Sequence, residues 1–185
     1  MKKLVLGVSI ALFALSCEKK DTPISTTTND ADSTEQVTET TTVVTTPKEV
    51  TKAQLADLVT PKDNDTLYVT NFFATWCGPC MMEIPHFKEK MKELEGQPVK
   101  FTFVSLDQKS DWDTKVKEFG EENGLSSNIV LFDGESFDES FFSEHFKTWK
   151  GESIPFTLIQ KGKKSNETVG SMSKEDLNGK LNELK

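Results

Sequence analysis

The sequence is poor in several residue types that particular functions require. All 22 basic side chains among its 185 residues are lysines, so the chain has no arginine to hold a phosphate or a carboxylate through two parallel hydrogen bonds. Its formal net charge is −8, whereas nucleic-acid binding needs clustered cations. We therefore expect no nucleic-acid partner.

Hydrophobic residues and cysteines are also scarce. The hydrophobic share of 35% lies below that of an average globular chain, which indicates that part of the sequence stays outside a packed core. Three cysteines are too few for a small scaffold held together by several disulfides. They are Cys17, Cys77 and Cys80, and each must be interpreted from its own surroundings.

Residues 1–16 have the build of a secretory signal peptide. Two lysines follow Met1, and residues 4–15 form a mostly apolar run that is too short for the roughly 20 residues of a membrane-spanning helix. The next residues, Ala14-Leu15-Ser16-Cys17, resemble the lipobox of bacterial lipoproteins, with the leucine one place later than usual. This resemblance implies a lipidated Cys17 and a lipid anchor in the bacterial cell envelope, with the chain facing the periplasm. The alternatives are a plain signal peptide with an incidental cysteine and an uncleaved anchor.

Residues 17–49 are predicted to form a disordered tether. The segment is rich in threonine, has interspersed acids and lacks aromatic residues, so it cannot bury enough apolar surface to offset the entropy of ordering. A flexible chain of this length spans roughly 30 Å root-mean-square. Such a tether would hold a folded domain clear of a membrane surface.

Residues 50–185 have the composition of one globular domain in which predicted strands alternate with predicted helices. This alternation indicates an α/β domain with parallel strand pairs. Strands are predicted at residues 66–74, 99–106, 129–132, 156–160 and 167–169. Helices are predicted at residues 51–59, 79–94 with a kink at Pro85, 111–123 with Gly124 as the stop, 137–149, and 174–184.

The candidate reactive residues lie where the first predicted strand is followed by the second predicted helix. Their sequence is Trp76-Cys77-Gly78-Pro79-Cys80. A cysteine at a helix N-terminus meets unpaired N–H groups and the positive end of the helix dipole, and both favour the thiolate. We therefore expect Cys77 to be the nucleophile. Cys80 follows one turn later on the same face, where it can attack a mixed disulfide held on Cys77.

The cysteine pair has two other interpretations, a structural disulfide and a zinc site. A structural disulfide across two intervening residues closes almost no loop and would stabilise the fold little. A zinc site needs four ligands, and the additional candidates, His86 and His145, lack the usual spacing. We expect no metal and no cofactor beyond the two cysteines.

Residues 71–85, Asn-Phe-Phe-Ala-Thr-Trp-Cys-Gly-Pro-Cys-Met-Met-Glu-Ile-Pro, resemble the active-site segment of the thioredoxin superfamily, and most of all its TlpA/ResA-like branch of membrane-anchored thiol–disulfide oxidoreductases. The resemblance implies the thioredoxin fold, a central mixed β-sheet flanked by helices. A second match is Ser153-Ile154-Pro155-Phe156. In the family this proline is cis and faces the cysteines, which implies that Trp76, Ile154 and Pro155 bind the substrate. A trans proline that begins an edge strand is the alternative.

Two positions near the cysteines bear on proton transfer. Thioredoxin has a buried aspartate where this chain has Asn71, and an asparagine cannot exchange a proton. In the ResA-like branch this task is linked to a glutamate three residues after the second cysteine, the position of Glu83. Helical spacing puts Glu83 on one apolar face with Cys80, which should desolvate the carboxylate and raise its pKa. The alternative is a partly exposed acid that the dipole favours near a helix start.

Together these features predict a thiol–disulfide oxidoreductase that acts on protein thiols and disulfides. The resemblance implies an extracytoplasmic reductant, in cytochrome c maturation or general redox homeostasis, recharged by a membrane electron-donor protein. The threonine- and proline-flanked single cysteine of peroxiredoxins is absent around Cys77. The alternative function is a binding lipoprotein that keeps the thioredoxin fold without redox activity. The aromatic residues of segment 137–149 fit either core packing or a surface for a hydrophobic partner.

Overall fold

The structure is a computed structural model that describes residues 46–184. The predicted signal peptide, Cys17 and the predicted tether up to residue 45 lie outside the described residues. Between residues 46 and 184, no helix combines the length and the apolar composition that a membrane span requires.

Strands and helices alternate along the described part of the chain. The strands are β1 (Lys48–Glu49), β2 (Leu67–Phe73), β3 (Val99–Ser105), β4 (Ile129–Leu131), β5 (Phe156–Lys161) and β6 (Lys164–Val169). The helices are α1 (Lys52–Val59), α2 (Gly78–Glu93), α3 (Lys109–Asp111), α4 (Lys117–Asn123), α5 (Glu139–His145) and α6 (Lys174–Leu184). A π-helical turn, Trp112–Val116, joins α3 to α4, and a 3₁₀ turn, Gly134–Ser136, precedes α5.

The strands form one mixed sheet in the order β1-β4-β3-β2-β5-β6. The pairs β1–β4, β4–β3 and β3–β2 are parallel, and β2–β5 and β5–β6 are antiparallel. Strand β2 lies inside the sheet and is almost completely buried, which explains its continuous β-prone sequence. The predicted mixed sheet flanked by helices is thus confirmed.

Each face of the sheet covers its own hydrophobic core. Because successive side chains of a strand point to opposite faces, β2 contributes Val69 and Phe73 to one core and Phe72 to the other. The first core also contains apolar residues of α2, α6 and the π-helical turn, and the second contains those of α1 and α5. The turn into α2 follows directly from this central strand, which places the cysteine pair beside the first core.

The sheet begins two residues before the predicted domain boundary at residue 50. Lys48 and Glu49 lie in the predicted tether, but they pair in parallel with Val130 and Leu131 of β4. A strand this short has no hydrophobic alternation, so only its pairing partner reveals it.

The predicted helix over residues 137–149 is wrong in its extent. Asp138 caps α5 by accepting a hydrogen bond from the N–H of Phe141, so the helix begins after Phe137. At the other end, Phe146 is extended, with φ −128° and ψ 148°. The N–H groups of Lys147 and Thr148 bond to the carboxylate of Glu167 on β6 and do not continue the helix. A tertiary hydrogen bond therefore replaces the helical ones that the aromatic spacing had suggested.

The remaining helices agree with the prediction in position. The helix predicted at residues 79–94 is α2, and Pro85 lies within it without ending it. The helix predicted at residues 111–123 is interrupted by the π-helical turn, and it ends as predicted at Gly124, which has a φ of +67°. Trp112 lies in that turn and donates from Nε1 to the carbonyl oxygen of Asp107, 2.9 Å away.

Candidate active site

Cys77 and Cys80 form a disulfide at the N-terminus of α2. Cys77 is the N-cap residue, and its sulfur accepts a hydrogen bond from the backbone N–H of Cys80 at 3.3 Å. Pro79 occupies the first turn, where a missing N–H leaves no hydrogen bond unmade. Both sulfur-bearing residues are buried, Cys80 completely. Cys77 borders a surface groove, and Cys80 is not among the residues that line this groove.

The loop that carries Cys77 is anchored to the end of β3. The buried carboxylate of Asp107 accepts hydrogen bonds from the backbone N–H of Thr75 at 3.0 and 3.1 Å and from its hydroxyl at 2.5 Å. Ser105 donates a further hydrogen bond to the same carboxylate at 2.8 Å. Asp107 was not predicted from the sequence to belong to the site. Its place directly after a buried strand, parallel to and beside β2, is the signal that could have revealed it.

Of the predicted substrate-binding residues, Trp76 and Ile154 line one groove with Cys77, and Pro155 follows Ile154 in the chain. The peptide bond between Ile154 and Pro155 is cis, as the resemblance implied, and the carbonyl oxygen of Ile154 lies 3.8 Å from Cys77 Sγ. Trp76 is 68% exposed. A groove of about 500 Å³ opens at this point, lined by Trp76, Cys77, Gly78, Pro79, Leu106 and the residues from Gly151 to Ile154.

Glu83 is buried, which excludes the partly exposed acid considered from the sequence. Its side chain is 1% exposed and lies on the buried face of α2 with Cys80, Ile84 and Phe87. Burial raises the pKa of Glu83 from 4.5 to about 7, although hydrogen bonds from the Met172 N–H and the Asn71 amide act in the opposite direction. The carboxyl group can therefore gain and lose a proton near neutral pH.

Asn71 and Thr157 complete the surroundings of Glu83. Asn71 Nδ2 donates to Glu83 Oε1 at 2.8 Å and to the Thr157 hydroxyl at 3.0 Å, and the N–H of Met172 donates to Glu83 Oε2 at 2.9 Å. Asn71 and Thr157 face each other across the antiparallel β2–β5 pair. Asn71 therefore does not replace the aspartate of thioredoxin as an acid, but holds the carboxylate of Glu83.

Thr157 and Met172 were not identified from the sequence. Thr157 comes two residues after Pro155, between the apolar residues Phe156 and Leu158 of β5, and a polar residue between apolar ones in a predicted buried strand was a usable signal. Met172 contributes only a backbone N–H, for which no sequence signal exists. Within residues 46–184, no group of three or more histidine, cysteine, aspartate or glutamate side chains is placed to hold a metal ion.

Comparison with protein families and curated proteins gives consistent matches. The model of the AhpC/TSA family matches residues 36–164. The thiol-disulfide oxidoreductase ResA of Bacillus thuringiensis (strain Al Hakam) is 25% identical over 114 residues, which are 62% of this chain and 61% of that protein. The sporulation thiol-disulfide oxidoreductase A of Bacillus subtilis (strain 168) is 30% identical over 111 residues, 59% of this chain and 62% of that protein. The chain thus spans about three-fifths of the length of these relatives.

Solved structures show the same fold. A thiol:disulfide interchange protein of the thioredoxin family from Chlorobium tepidum TLS superposes with a TM-score of 0.53 at 24% identity, covering 69% of this chain and 82% of that one. A DsbF homologue from Corynebacterium diphtheriae gives a TM-score of 0.52 at 17% identity, covering 66% and 74%. The domain accordingly has the thioredoxin fold that the sequence resemblance implied.

Proposed function

We propose that this chain, which belongs to the AhpC/TSA family, is a thiol–disulfide oxidoreductase that passes electrons to protein disulfides through Cys77 and Cys80. The observation that carries the proposal is their disulfide at the N-terminus of α2, with Cys77 beside an open groove and Cys80 buried behind it. The similarity to proteins named thiol-disulfide oxidoreductases supports the same chemistry.

The reaction begins from the reduced protein. The Cys77 thiolate attacks one sulfur of a substrate disulfide, the substrate S–S bond breaks, and the other substrate sulfur leaves as a thiolate that takes up a proton. The Cys80 thiolate then attacks the Cys77 sulfur of the mixed disulfide and releases the second substrate sulfur. Two electrons have passed to the substrate, and the protein is left with the Cys77–Cys80 disulfide.

Glu83 is the proposed proton acceptor for Cys80. Residues three apart on a helix are neighbours on its surface, with about 5–6 Å between their Cβ atoms. Because burial raises the pKa of Glu83 to about 7, the carboxylate and the carboxylic acid are both present near neutral pH. Cys80 is completely buried, so a neighbouring base is the available route by which its proton can leave.

The groove beside Cys77 is the proposed site for an extended segment of the substrate protein. Trp76 offers an exposed apolar surface on one side, and the Ile154–Pro155 turn forms the other. The carbonyl oxygen of Ile154, 3.8 Å from Cys77 Sγ, can accept a backbone hydrogen bond from the bound segment. This arrangement favours protein disulfides over small ones.

The chain is further proposed to act as a reductant outside the cytoplasm, anchored to a membrane through a lipid on Cys17 and recharged by a membrane electron-donor protein with a dithiol. Its substrates would be apocytochromes c before haem attachment or wrongly oxidised proteins in general. The apolar run before Cys17 and the Gly-Pro spacer between Cys77 and Cys80 support this proposal. Cys17→Ser should move the chain from the membrane fraction to the soluble fraction.

The activity is tested by insulin reduction with dithiothreitol as the electron source. The full chain should accelerate precipitation of the insulin B chain, and Cys77→Ser should lower the rate to that of dithiothreitol alone because the nucleophile is gone. Cys80→Ser is the matched control, since it keeps the nucleophile but cannot resolve the mixed disulfide. When it is prereduced and freed of dithiothreitol before insulin is added, it should accumulate an insulin adduct on Cys77 that mass spectrometry detects. A wild-type rate equal to that of Cys77→Ser would contradict the proposed activity and favour the alternative, a binding lipoprotein without redox activity.

A further inference from the structure

The loop between α5 and β5 contains a tryptophan that contacts both ends of the cis-proline turn. Trp149 is 1% exposed, although it lies beyond the end of α5. Its ring stacks on Phe156, the residue after Pro155, with 4.4 Å between the ring centroids and 13° between the planes. On the other end of the turn, Trp149 Nε1 donates a hydrogen bond of 2.8 Å to the carbonyl oxygen of Ser153.

The segment that carries Trp149 is itself fixed from two directions. Before it, the carboxylate of Glu167 on β6 accepts hydrogen bonds from the N–H of Lys147 at 2.9 Å and from the N–H and hydroxyl of Thr148 at 2.7 and 2.8 Å. After it, Gly151 has a φ of +84° and packs so closely under Phe142 that a Cβ atom there would lie 2.3 Å from the ring. The backbone on both sides of Trp149 is therefore fixed by contacts with other parts of the domain, and so is the position from which the indole extends.

The turn that Trp149 contacts also forms one wall of the substrate groove. Ser153 and Ile154 line the groove together with Cys77, and the Ile154 carbonyl oxygen lies 3.8 Å from Cys77 Sγ. A displacement of this turn changes the width of the groove without touching either cysteine. A misplacement of about 1 Å in such a position can cost on the order of a hundredfold in rate.

We propose that Trp149 is a positioning residue that holds the Ser153–Phe156 turn at its distance from Cys77, and so keeps the groove shaped for an extended protein segment. The inference rests on the proposed function and assigns part of its substrate preference to a residue outside the cysteine turn. Stacking alone would be available to a phenylalanine. A phenylalanine could not make the hydrogen bond to Ser153, because this bond requires an N–H donor at the edge of the ring, which the indole has.

The test compares two disulfide substrates, insulin and the small aromatic disulfide known as Ellman's reagent. Trp149→Phe keeps the stacked ring and removes the N–H group. It should raise KM for insulin about tenfold, while the rate with Ellman's reagent stays within about twofold, since a small disulfide needs only Cys77 and not the groove. An unchanged KM for insulin would overturn the proposal.

The matched control is Phe141→Leu in the same aromatic cluster. Phe141 is equally buried, and its ring partners are Phe137, Phe142, His145 and Phe146. This variant should lower the melting temperature at least as much as Trp149→Phe and leave KM for insulin unchanged. If it raises KM as much as Trp149→Phe does, the effect is loss of packing and the positioning role is wrong.

Two further measurements keep the outcome decisive. If Trp149→Phe fails to fold, Glu167→Ala takes its place, because it removes the hydrogen bonds to Lys147 and Thr148 that fix the same segment. This variant should raise KM for insulin about threefold. An unchanged KM would then overturn the proposal. Should the wild-type chain reduce neither substrate, the proposed function fails on its own. In that case the backbone amide signals of Ile154 and Phe156 decide the positioning role by nuclear magnetic resonance, because they should shift in Trp149→Phe and stay in place in Phe141→Leu.

Discussion

Two adjacent cross-strand pairs of the β2–β5 ladder differ completely in chemistry. Asn71 pairs with Thr157, and the next pair is Phe72 with Phe156. The polar pair faces α2, where Asn71 holds the carboxylate of Glu83. The aromatic pair faces the opposite core, where Phe72 and Phe156 both contact the ring of Trp149.

This difference follows from the alternation of side chains along a strand. Residues one apart in the sequence lie on opposite faces of the sheet, so a single central strand can serve proton transfer on one face and packing on the other. In the proposed mechanism the polar pair holds the carboxylate of Glu83 through Asn71. The aromatic pair supports the turn at Ile154. The site is therefore supported from both sides of the sheet, and each side can be tested separately.

The aromatic pair should dominate stability. Phe72→Ala leaves a cavity among Phe146, Trp149 and Phe156, which surround the ring in the structure. We expect the free energy of unfolding to fall by about 3–5 kcal/mol, the usual cost of such a truncation in a core. Urea denaturation of the full chain measures this cost. A cost below about 1 kcal/mol would show that the second core does not depend on this pair.

On the face of the polar pair, stability should depend on pH because Glu83 is buried there. The folded pKa of Glu83, about 7, lies above its ordinary value of 4.5, so the native state keeps a proton that the unfolded chain releases between these values. The stability from the neutral form is complete below pH 4.5 and is lost as the pH rises to about 7, a difference of about 3 kcal/mol.

Glu83→Gln cannot ionise and should escape this loss. Its free energy of unfolding, relative to that of the wild type, should rise by about 3 kcal/mol between pH 4.5 and about pH 8. Urea titrations of both proteins at several pH values give this difference directly, and the other acids cancel in the comparison. A constant difference across the range would mean that the folded pKa of Glu83 is not raised.

The same substitution should remove the pH dependence of thiol exchange. In the wild type, the rate of resolution by Cys80 should rise with an inflection near pH 7, as Glu83 becomes able to accept a proton. Glu83→Gln should lose the inflection and be slower by about a hundredfold at neutral pH, the lower end of general acid–base contributions. Stopped-flow reduction of insulin by the prereduced protein follows this step. An unchanged pH profile would remove Glu83 from the mechanism.

The smallest effect is expected at the second member of the polar pair. Thr157→Val keeps the shape of the side chain and removes the hydroxyl that accepts from Asn71. We expect a loss of about 1 kcal/mol in the free energy of unfolding, the net worth of one such hydrogen bond. The pH inflection should stay near 7, because Asn71 and Met172 still donate to Glu83. A displaced inflection would show that the Thr157 hydroxyl affects the pKa of Glu83 and so takes part in proton transfer.

The sequence predicted the central strand, the helix after it and the cysteine turn between them. A continuous β-prone run marked β2, and helical spacing with Pro79 in the first turn marked α2. The prediction failed where tertiary contacts decide the backbone. Glu167 captures the N–H groups of Lys147 and Thr148 and ends the aromatic segment as a loop, and a pairing partner turns Lys48 and Glu49 into a strand.

The site shows the same division. Helical spacing was enough to place Glu83 on one face with Cys80, and the burial of that face confirms the placement. Whether the carboxyl group would be desolvated depended on elements far away in the chain. The N–H of Met172, 89 residues from Glu83, and the hydroxyl of Thr157, 86 residues from Asn71, could not be assigned from local pattern.

The fold class and the position of the two sulfurs at a helix start could be predicted from sequence pattern, because strand and helix periods and the preference of Pro79 for a first turn act between near neighbours. The pKa of Glu83, the anchoring of the cysteine loop by Asp107 and the place of Trp149 behind the Ile154–Pro155 turn depend on contacts between distant segments. Desolvation and hydrogen bonding act through space, so they exist only once distant segments have been brought together.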